Sequence, residues 1–195
     1  MANIMGLPIT TKHLTLRSLE QTDWPLFSRL HSDSEVMKHV GEPLDETAAL
    51  AIFELHLLPW KPEKPGWLTL IIEHNDDDKP QEDANTDIAS QESIGIIGLR
   101  TQNLDTGIVE MAFMLDISHS GKGYGSEAIR SMINYAFYNL NFHKISATCS
   151  VHNIASQKAL IKNGFLKEGI LRHNSMVDDH YIDDCIYGLL VHDMG

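Results

Sequence analysis

The stretch His119-Ser120-Gly121-Lys122-Gly123-Tyr124-Gly125-Ser126-Glu127-Ala128 decides how this chain is read. Three alternate glycines follow the apolar run Ile108 to Ile117 and precede Ile129, Met132, Ile133, Ala136, Phe137 and Leu140. The apolar run reads as a strand, and the i, i+3, i+4, i+7 spacing after the glycines reads as a helix burying one face against a sheet. Backbone without side chains at a helix N-terminus leaves several N–H groups free to point at one anion. The helix dipole adds roughly half a positive charge at that spot. The loop is therefore a candidate phosphate site.

Outward from this loop the chain alternates strands and helices. Leu14 to Leu19 alternates as a strand, and Thr22-Asp23-Trp24-Pro25 starts a helix that runs to about His31. A short helix is expected over Glu35 to Val40 and a longer one from Asp45 to Leu58, stopped by Pro59. Trp67 to Glu73, Ser93 to Thr101, His143 to Val151, Phe165 to Arg172 and Tyr181 to Val191 read as strands. Asn153 to Asn163 reads as a helix with Asn153 at its N-cap and Gly164 beyond its end. Residues 74–91 are acidic and poor in apolar side chains, which predicts a solvated hairpin loop and not a domain linker. Their acids lack the glycine-punctuated pattern of a calcium loop. The order predicts a mixed α/β sheet in one layered domain spanning residues 1–195.

Three kinds of phosphate loop compete for the glycine run. The nucleotide P-loop needs two glycines separated by four residues and followed by Lys and Ser or Thr, which Gly121-Lys122-Gly123 does not provide. Gly123, Gly125 and Ala128 satisfy the G-x-G-x-x-A form of the dinucleotide fingerprint. That fingerprint opens a βαβ unit and has an acidic residue about 20 positions later, whereas residues 143–151 contain no Asp or Glu. The third kind is the pyrophosphate loop of the GNAT N-acetyltransferase superfamily, Gln/Arg-x-x-Gly-x-Gly/Ala, which Ser120-Gly121-Lys122-Gly123-Tyr124-Gly125 resembles with Ser120 in place of Gln or Arg. The resemblance extends to Leu14-Thr15-Leu16-Arg17 and to Asp33 through Gly41. It continues at Val151-His152-Asn153-Ile154-Ala155-Ser156, at Ala159 and at Asn163-Gly164-Phe165. These segments are similar to the ribosomal-protein N-terminal serine and alanine acetyltransferases.

The resemblance implies a single-domain α+β fold with a mixed, mostly antiparallel sheet flanked by helices. It implies transfer of acetyl from acetyl-CoA by direct attack of an amine on the thioester. The enzyme must hold the thioester, stabilise an oxyanion, remove an amine proton and help the thiolate leave. By resemblance, backbone groups at Met114 and Leu115 pair with the pantetheine arm, while Gly121, Lys122, Gly123, Tyr124, Gly125 and Ser126 wrap the pyrophosphate. Asn153 would bond the pantetheine arm as well as cap its helix. Ser156 would assist the departing thiolate, since the tyrosine of other branches is absent where this chain has Leu160 and Ile161. Glu110, on the strand before the loop, is the candidate general base, directly or through water. The subgroup carries a glutamate where this chain has Ser175. The acceptor implied is a primary amine: first a protein N-terminus of ribosomal type, with a small amine or amino-acid-like metabolite as the alternative. A coenzyme A-binding module without catalysis is the reading from another class.

Composition narrows the remaining choices. A chain of 195 residues with 43% hydrophobic content can bury a full core. No apolar run approaches the ~20 residues of a membrane span. Met1 to Gly6 lacks the features of a secretion signal, so a cytoplasmic enzyme is expected. A net charge of −12 argues against direct nucleic-acid binding and leaves any anionic ligand to local dipoles and a few lysines. No metal site is expected, because the histidines lack the i, i+4 spacing with a flanking Glu. Cys149 and Cys185 suggest neither a disulfide framework nor zinc, and Cys149 near His152 reads as packing and not as a nucleophile with its base. Asp178, Asp179, Asp183 and Asp184 read as a solvated turn that could also attract a cationic acceptor. Monomer and homodimer both stay open.

Overall fold

The computed structural model describes residues 6–75 and 91–194. Eight strands form one sheet in the order β1-β2-β3-β4-β5-β6-β8-β7. They are β1 (Ile9–Thr10), β2 (Leu14–Ser18), β3 (Leu68–His74), β4 (Glu92–Asn103), β5 (Ile108–Leu115), β6 (Lys144–Ser150), β7 (Leu166–Val177) and β8 (His180–Leu190). Every pairing is antiparallel except β5 with β6. The mixed, mostly antiparallel sheet flanked by helices is thus the one expected. The strand absent from the sequence reading is β1, whose two residues are too few to show alternation. The acidic expectation for 74–91 falls mostly on residues 76–90, outside the described ones; the strands on either side pair at His74↔Glu92.

The helices are α1 (Trp24–Ser32), α2 (Ser34–Met37), α3 (Glu46–His56), α4 (Tyr124–Asn134) and α5 (Ile154–Lys162). Their starts follow local chemistry: Asp33 and Asp45 accept backbone N–H bonds at the N-caps of α2 and α3, and Asn153 does so for α5. The amphipathic pattern expected to run to Leu140 is helical only to Asn134. A wider turn follows over Tyr135–Asn139, closed by Leu140 N–H donating to the Tyr135 carbonyl at 3.1 Å. The widening keeps Tyr135, Ala136 and Phe137 all buried.

Strand alternation divides the core into two layers. Leu70, Ile72 and Ile97 face the larger cluster beneath α4 and α5, with Ile129, Met132, Ile133 and Leu160. Ile71 and Ile96 face the opposite way, against Leu26, Phe27 and Leu30 of α1 and Phe53 of α3. Beside this second layer, Arg17 bonds Asp23 at 2.8 Å and Glu73 at 2.7 Å, although Asp23 is 5% and Glu73 7% exposed. Arg17→Met would leave two buried carboxylates without their cation. The expected loss is about 3–5 kcal/mol of stability in chemical denaturation.

His56 packs edge-on to Phe27, stacks on Trp67 and bonds Thr69 Oγ1 at 2.7 Å. Burial, and then the neighbouring His31, lower its pKa to about 4. The unfolded imidazole takes up a proton near 6.5, so the unfolded state gains protons first as pH falls. Stability should therefore decline below about pH 6.5, by roughly 3 kcal/mol at pH 4, with His31 contributing in the same direction. Melting temperatures measured from pH 7 to 4 should follow this slope, and His56→Gln should flatten it.

Candidate active site

Two features of the sheet build the site. The first is a splay between β5 and β6. Their parallel pairing covers only Ile108↔Lys144, Val109↔Ile145 and Glu110↔Ser146. Beyond it β5 stays paired with β4 as far as Gly95↔Leu115, and β6 stays paired with β8 as far as Ser150↔Asp184. Among the described residues, the β6-facing backbone of residues 111–115 has no strand partner. A cavity of about 230 Å³ occupies the gap, lined by Met111 to Met114 on one strand and Ala147 to Ser150 on the other. Asn153, Ser156 and Leu160 of α5 line it from the side of the larger core cluster. His39, Val40, Ser175 and Asp184 complete its wall.

The second feature is the glycine loop at the start of α4. Gly121 and Gly123 have φ of +77° and +93°, a region that L side chains enter only with strain, and Gly123 is the N-cap of α4. A Cβ on either would meet no atom within 4 Å, so the loop surface is open backbone. Gly125 serves close packing instead. A Cβ there would lie 2.9 Å from Leu115 Cδ1, so its absence lets α4 approach β5. A second cavity of about 380 Å³ lies against the loop, lined by Lys122, Gly123, Ser126, Arg130, Lys162 and Asn163 with His13 and Glu127. Three cationic side chains thus converge beside the exposed N–H groups of a helix start in a protein of net charge −12.

Neighbouring bonds fix this end. Asn163, 2% exposed, donates to Ser126 Oγ at 3.0 Å and accepts from Arg130 Nε at 3.1 Å, tying α4 to α5. Glu127 accepts from Thr11 Oγ1 at 2.6 Å and from the His13 backbone N–H at 2.9 Å. Burial pushes the Glu127 carboxyl up, but these bonds outweigh it and hold the group below its ordinary range. The helix behind the loop is thereby anchored to the N-terminal strands.

The structure brings most of the expected residues together and leaves one apart. Met114, Asn153 and Ser156 line the splay cavity, whereas Leu115 is not among its lining residues and packs against Gly125. Gly121 through Ser126 form the loop and first turn of α4. The Tyr124 hydroxyl bonds His74 Nε2 at 2.7 Å. The Asn153 side-chain oxygen caps α5 by accepting from Ser156 N–H at 3.0 Å, which leaves its amide nitrogen available. Glu110 lies where β5 and β6 are still paired and is not among the cavity-lining residues. Arg100 bonds its carboxylate, and that guanidinium also stacks over Trp67 at 4.9 Å.

The acidic residues of the last hairpin do not form the single solvated turn expected. Asp178 and Asp179 are the exposed turn, with φ of +50° and +59°. Asp183 accepts from His173 N–H at 2.8 Å where β7 bulges, and Asp184 is buried in the cavity wall. Burial pushes the Cys149 thiol up to about 11, which keeps it protonated and inert as expected. His39 has no assigned role in the sequence reading, yet it reaches the cavity. Burial, then Lys38 and His152, hold its imidazole below the ordinary pKa and hence neutral. Arg130 and Lys162 also escape the sequence reading. The i, i+4 spacing of Ser126 and Arg130 is a usable signal for the first, whereas nothing local marks Lys162.

Residues 13–166 match the family model described as Acetyltransferase (GNAT) domain. The chain belongs to the GNAT acetyltransferase family. It is an acetyl-CoA-dependent N-acetyltransferase. It is 29% identical over 182 residues to the uncharacterized N-acetyltransferase p20 of Bacillus licheniformis, covering 92% of this chain and 94% of that one. It is 28% identical over 100 residues to the ribosomal-protein-serine acetyltransferase of Escherichia coli, covering 51% of this chain and 56% of that one. The fold superposes on spermidine N-acetyltransferase from Vibrio cholerae, solved with CoA and spermine. The TM-score is 0.77 at 22% identity, with 94% of this chain and 98% of that one covered.

An Ala at position 123 must adopt φ near +93° at the mouth of the loop, at a cost of about 1–2 kcal/mol. Gly123→Ala is expected to weaken acetyl-CoA binding at least about fivefold in calorimetric titration while leaving the fold intact by circular dichroism.

Proposed function

We propose that this acetyltransferase acts on a primary amine, with the α-amino group of a protein N-terminus as the first acceptor. The supporting observations are the splay cavity, with its unpaired β5 edge and its residues of α5, and the glycine loop that follows β5 in the chain and borders a cavity of its own. Gly121 through Ser126 hold the pyrophosphate with backbone N–H groups, and Lys122, Arg130 and Lys162 add positive charge at that end. The free edge at Met114 and Leu115, with the Asn153 amide, holds the pantetheine arm. Bound acetyl-CoA supplies the activated acetyl group and a thiolate leaving group. Ser156 stands on α5 beside the gap and donates its hydroxyl proton toward the departing sulfur.

Proton removal is asked of solvent in the open cavity. An α-amino group with a pKa near ~7.7–8.0 is partly neutral at physiological pH, whereas a lysine amine near ~10.4 is not. Glu110 enters this proposal only through water, because Arg100 already holds its carboxylate. Resemblance to the ribosomal-protein group and the partial match to the Escherichia coli enzyme support the protein terminus. A polyamine is the second reading, favoured by the acids on the hairpin side, where Glu42 accepts from Asp178 N–H at 2.6 Å beside Asp179. The cytoplasm is the compartment proposed, and no helix of the described residues is long and apolar enough to cross a membrane.

Thiol release from acetyl-CoA, measured with a serine-terminated peptide and with spermidine after calorimetric titration with acetyl-CoA alone, tests this reading. Binding with peptide turnover supports the first acceptor, spermidine turnover alone supports the second, and binding without turnover of either overturns both acceptors. Ser156→Ala should lower kcat about 10–100-fold with the acetyl-CoA Kd within about threefold. An unchanged kcat removes Ser156 from the mechanism.

A further inference from the structure

In the reading above, Asp184 has no part in holding acetyl-CoA or in releasing its thiolate. It is 6% exposed, yet it lines the splay cavity. Its Oδ2 accepts from Asn174 Nδ2 at 2.9 Å and its Oδ1 from Ser175 Oγ at 3.2 Å. Both donors are neutral, and Asp184 forms no ion pair among the described residues. A carboxylate oxygen has two lone pairs, so one bond to each leaves acceptor capacity unused. A carboxyl group that lines a cavity with acceptor capacity to spare and no cation beside it is a place where a cationic ligand can bind.

Strand alternation says where that cation would sit. The next residues on β8, Cys185 and Tyr187, belong to the core cluster under α4 and α5. Asp184, adjacent to Cys185, therefore points to the other face of the sheet. It lies across from Ser150 of β6, on the strand that forms one wall of the gap. Ser156 and Asn153 line the same cavity from α5, on the core-cluster side. A thioester lodged between the strands would thus have its leaving-group partner on one side and a buried negative charge on the other.

Resting on the acetyltransferase reading above, we propose that Asp184 is the acceptor-binding residue. It holds the substrate's ammonium by a charge-assisted hydrogen bond within the splay cavity, with Asn174 and Ser175 fixing the carboxylate. The acceptor class this selects is a primary amine that arrives protonated. The net transfer converts the ammonium and the thioester into the amide, the free thiol and one proton, which passes to solvent.

The experiment compares wild type with Asp184→Asn, an isosteric change that removes the charge; its amide oxygen can keep the bond from Asn174 while its NH2 donates to Ser175 Oγ, which can accept. Acetyl-CoA is titrated calorimetrically, and steady-state kinetics are run with whichever of spermidine and a serine-terminated tetrapeptide turns over faster. The expected result is an acceptor KM raised at least about tenfold, the range of a charged hydrogen bond, with the acetyl-CoA Kd and the melting temperature little changed. An acceptor KM within about twofold of wild type overturns the proposal. So does a parallel loss of acetyl-CoA affinity and thermal stability, which marks a structural role. Should Asp184→Asn fail to fold, carbon-detected NMR of the wild-type Asp184 carboxyl decides: a shift saturating with added amine supports the assignment, and no shift overturns it. Turnover of neither amine, with acetyl-CoA bound, defeats the functional reading and this inference with it. Turnover insensitive to the substitution defeats the inference alone.

Discussion

The short parallel seam between β5 and β6 is the constraint on which the site depends. Three residue pairs join the antiparallel half β1–β5 to the antiparallel half formed by β6, β8 and β7. Each half is held along its own length by its own neighbours, and sheets twist with a fixed hand, so two halves joined at one end diverge at the other. The gap needs no mobile element to open it. Closing it would mean breaking the β4–β5 or β6–β8 ladder, so the unpaired backbone of residues 111–115 remains available to a ligand that can hydrogen-bond like a strand.

The packing around the seam makes this arrangement specific. Gly95 sits opposite Leu115, and a Cβ there would collide with the Met114 carbonyl oxygen, so that strand pair tolerates no side chain at that point. Gly125 permits the first turn of α4 to approach the end of the same strand. The glycine loop and the splay are thus two ends of one piece of chain, β5 through α4. A glycine-opened helix start and an open strand edge are delivered together, with the short stretch from Asp116 to Gly123 between them.

Charge is distributed along this course against the overall balance. The chain carries a net −12, yet Lys122, Arg130 and Lys162 gather beside the loop. At the last hairpin the acids separate by environment: Asp178 and Asp179 stay in water, Asp183 satisfies the bulge of β7, and Asp184 turns inward. Long-range attraction from exposed acids is weakened by solvent and salt, whereas a buried carboxylate acts at contact distance. These four acids, close in sequence, therefore fill three different physical roles.

Local chemistry carried much of this in the sequence itself. The glycines of 121–125, the capping residues Asp45 and Asn153, and the helical period from Ile129 each act within a few residues, so the fold class and the glycine-opened helix start were legible without coordinates. The end of α4 was less so, because a helical period does not reveal a widened turn that tertiary packing of Tyr135 and Phe137 selects. Glu110 and Asp184 show the limit most clearly. Both are acids on strands, but Arg100 comes from the adjacent strand to hold one, and strand pairing with β6 and the bulge of β7 turn the other into the cavity. Sequence determined the elements and the loop through interactions between near neighbours; tertiary structure alone decided which carboxylate faces the gap, because that depends on register between strands far apart in the chain.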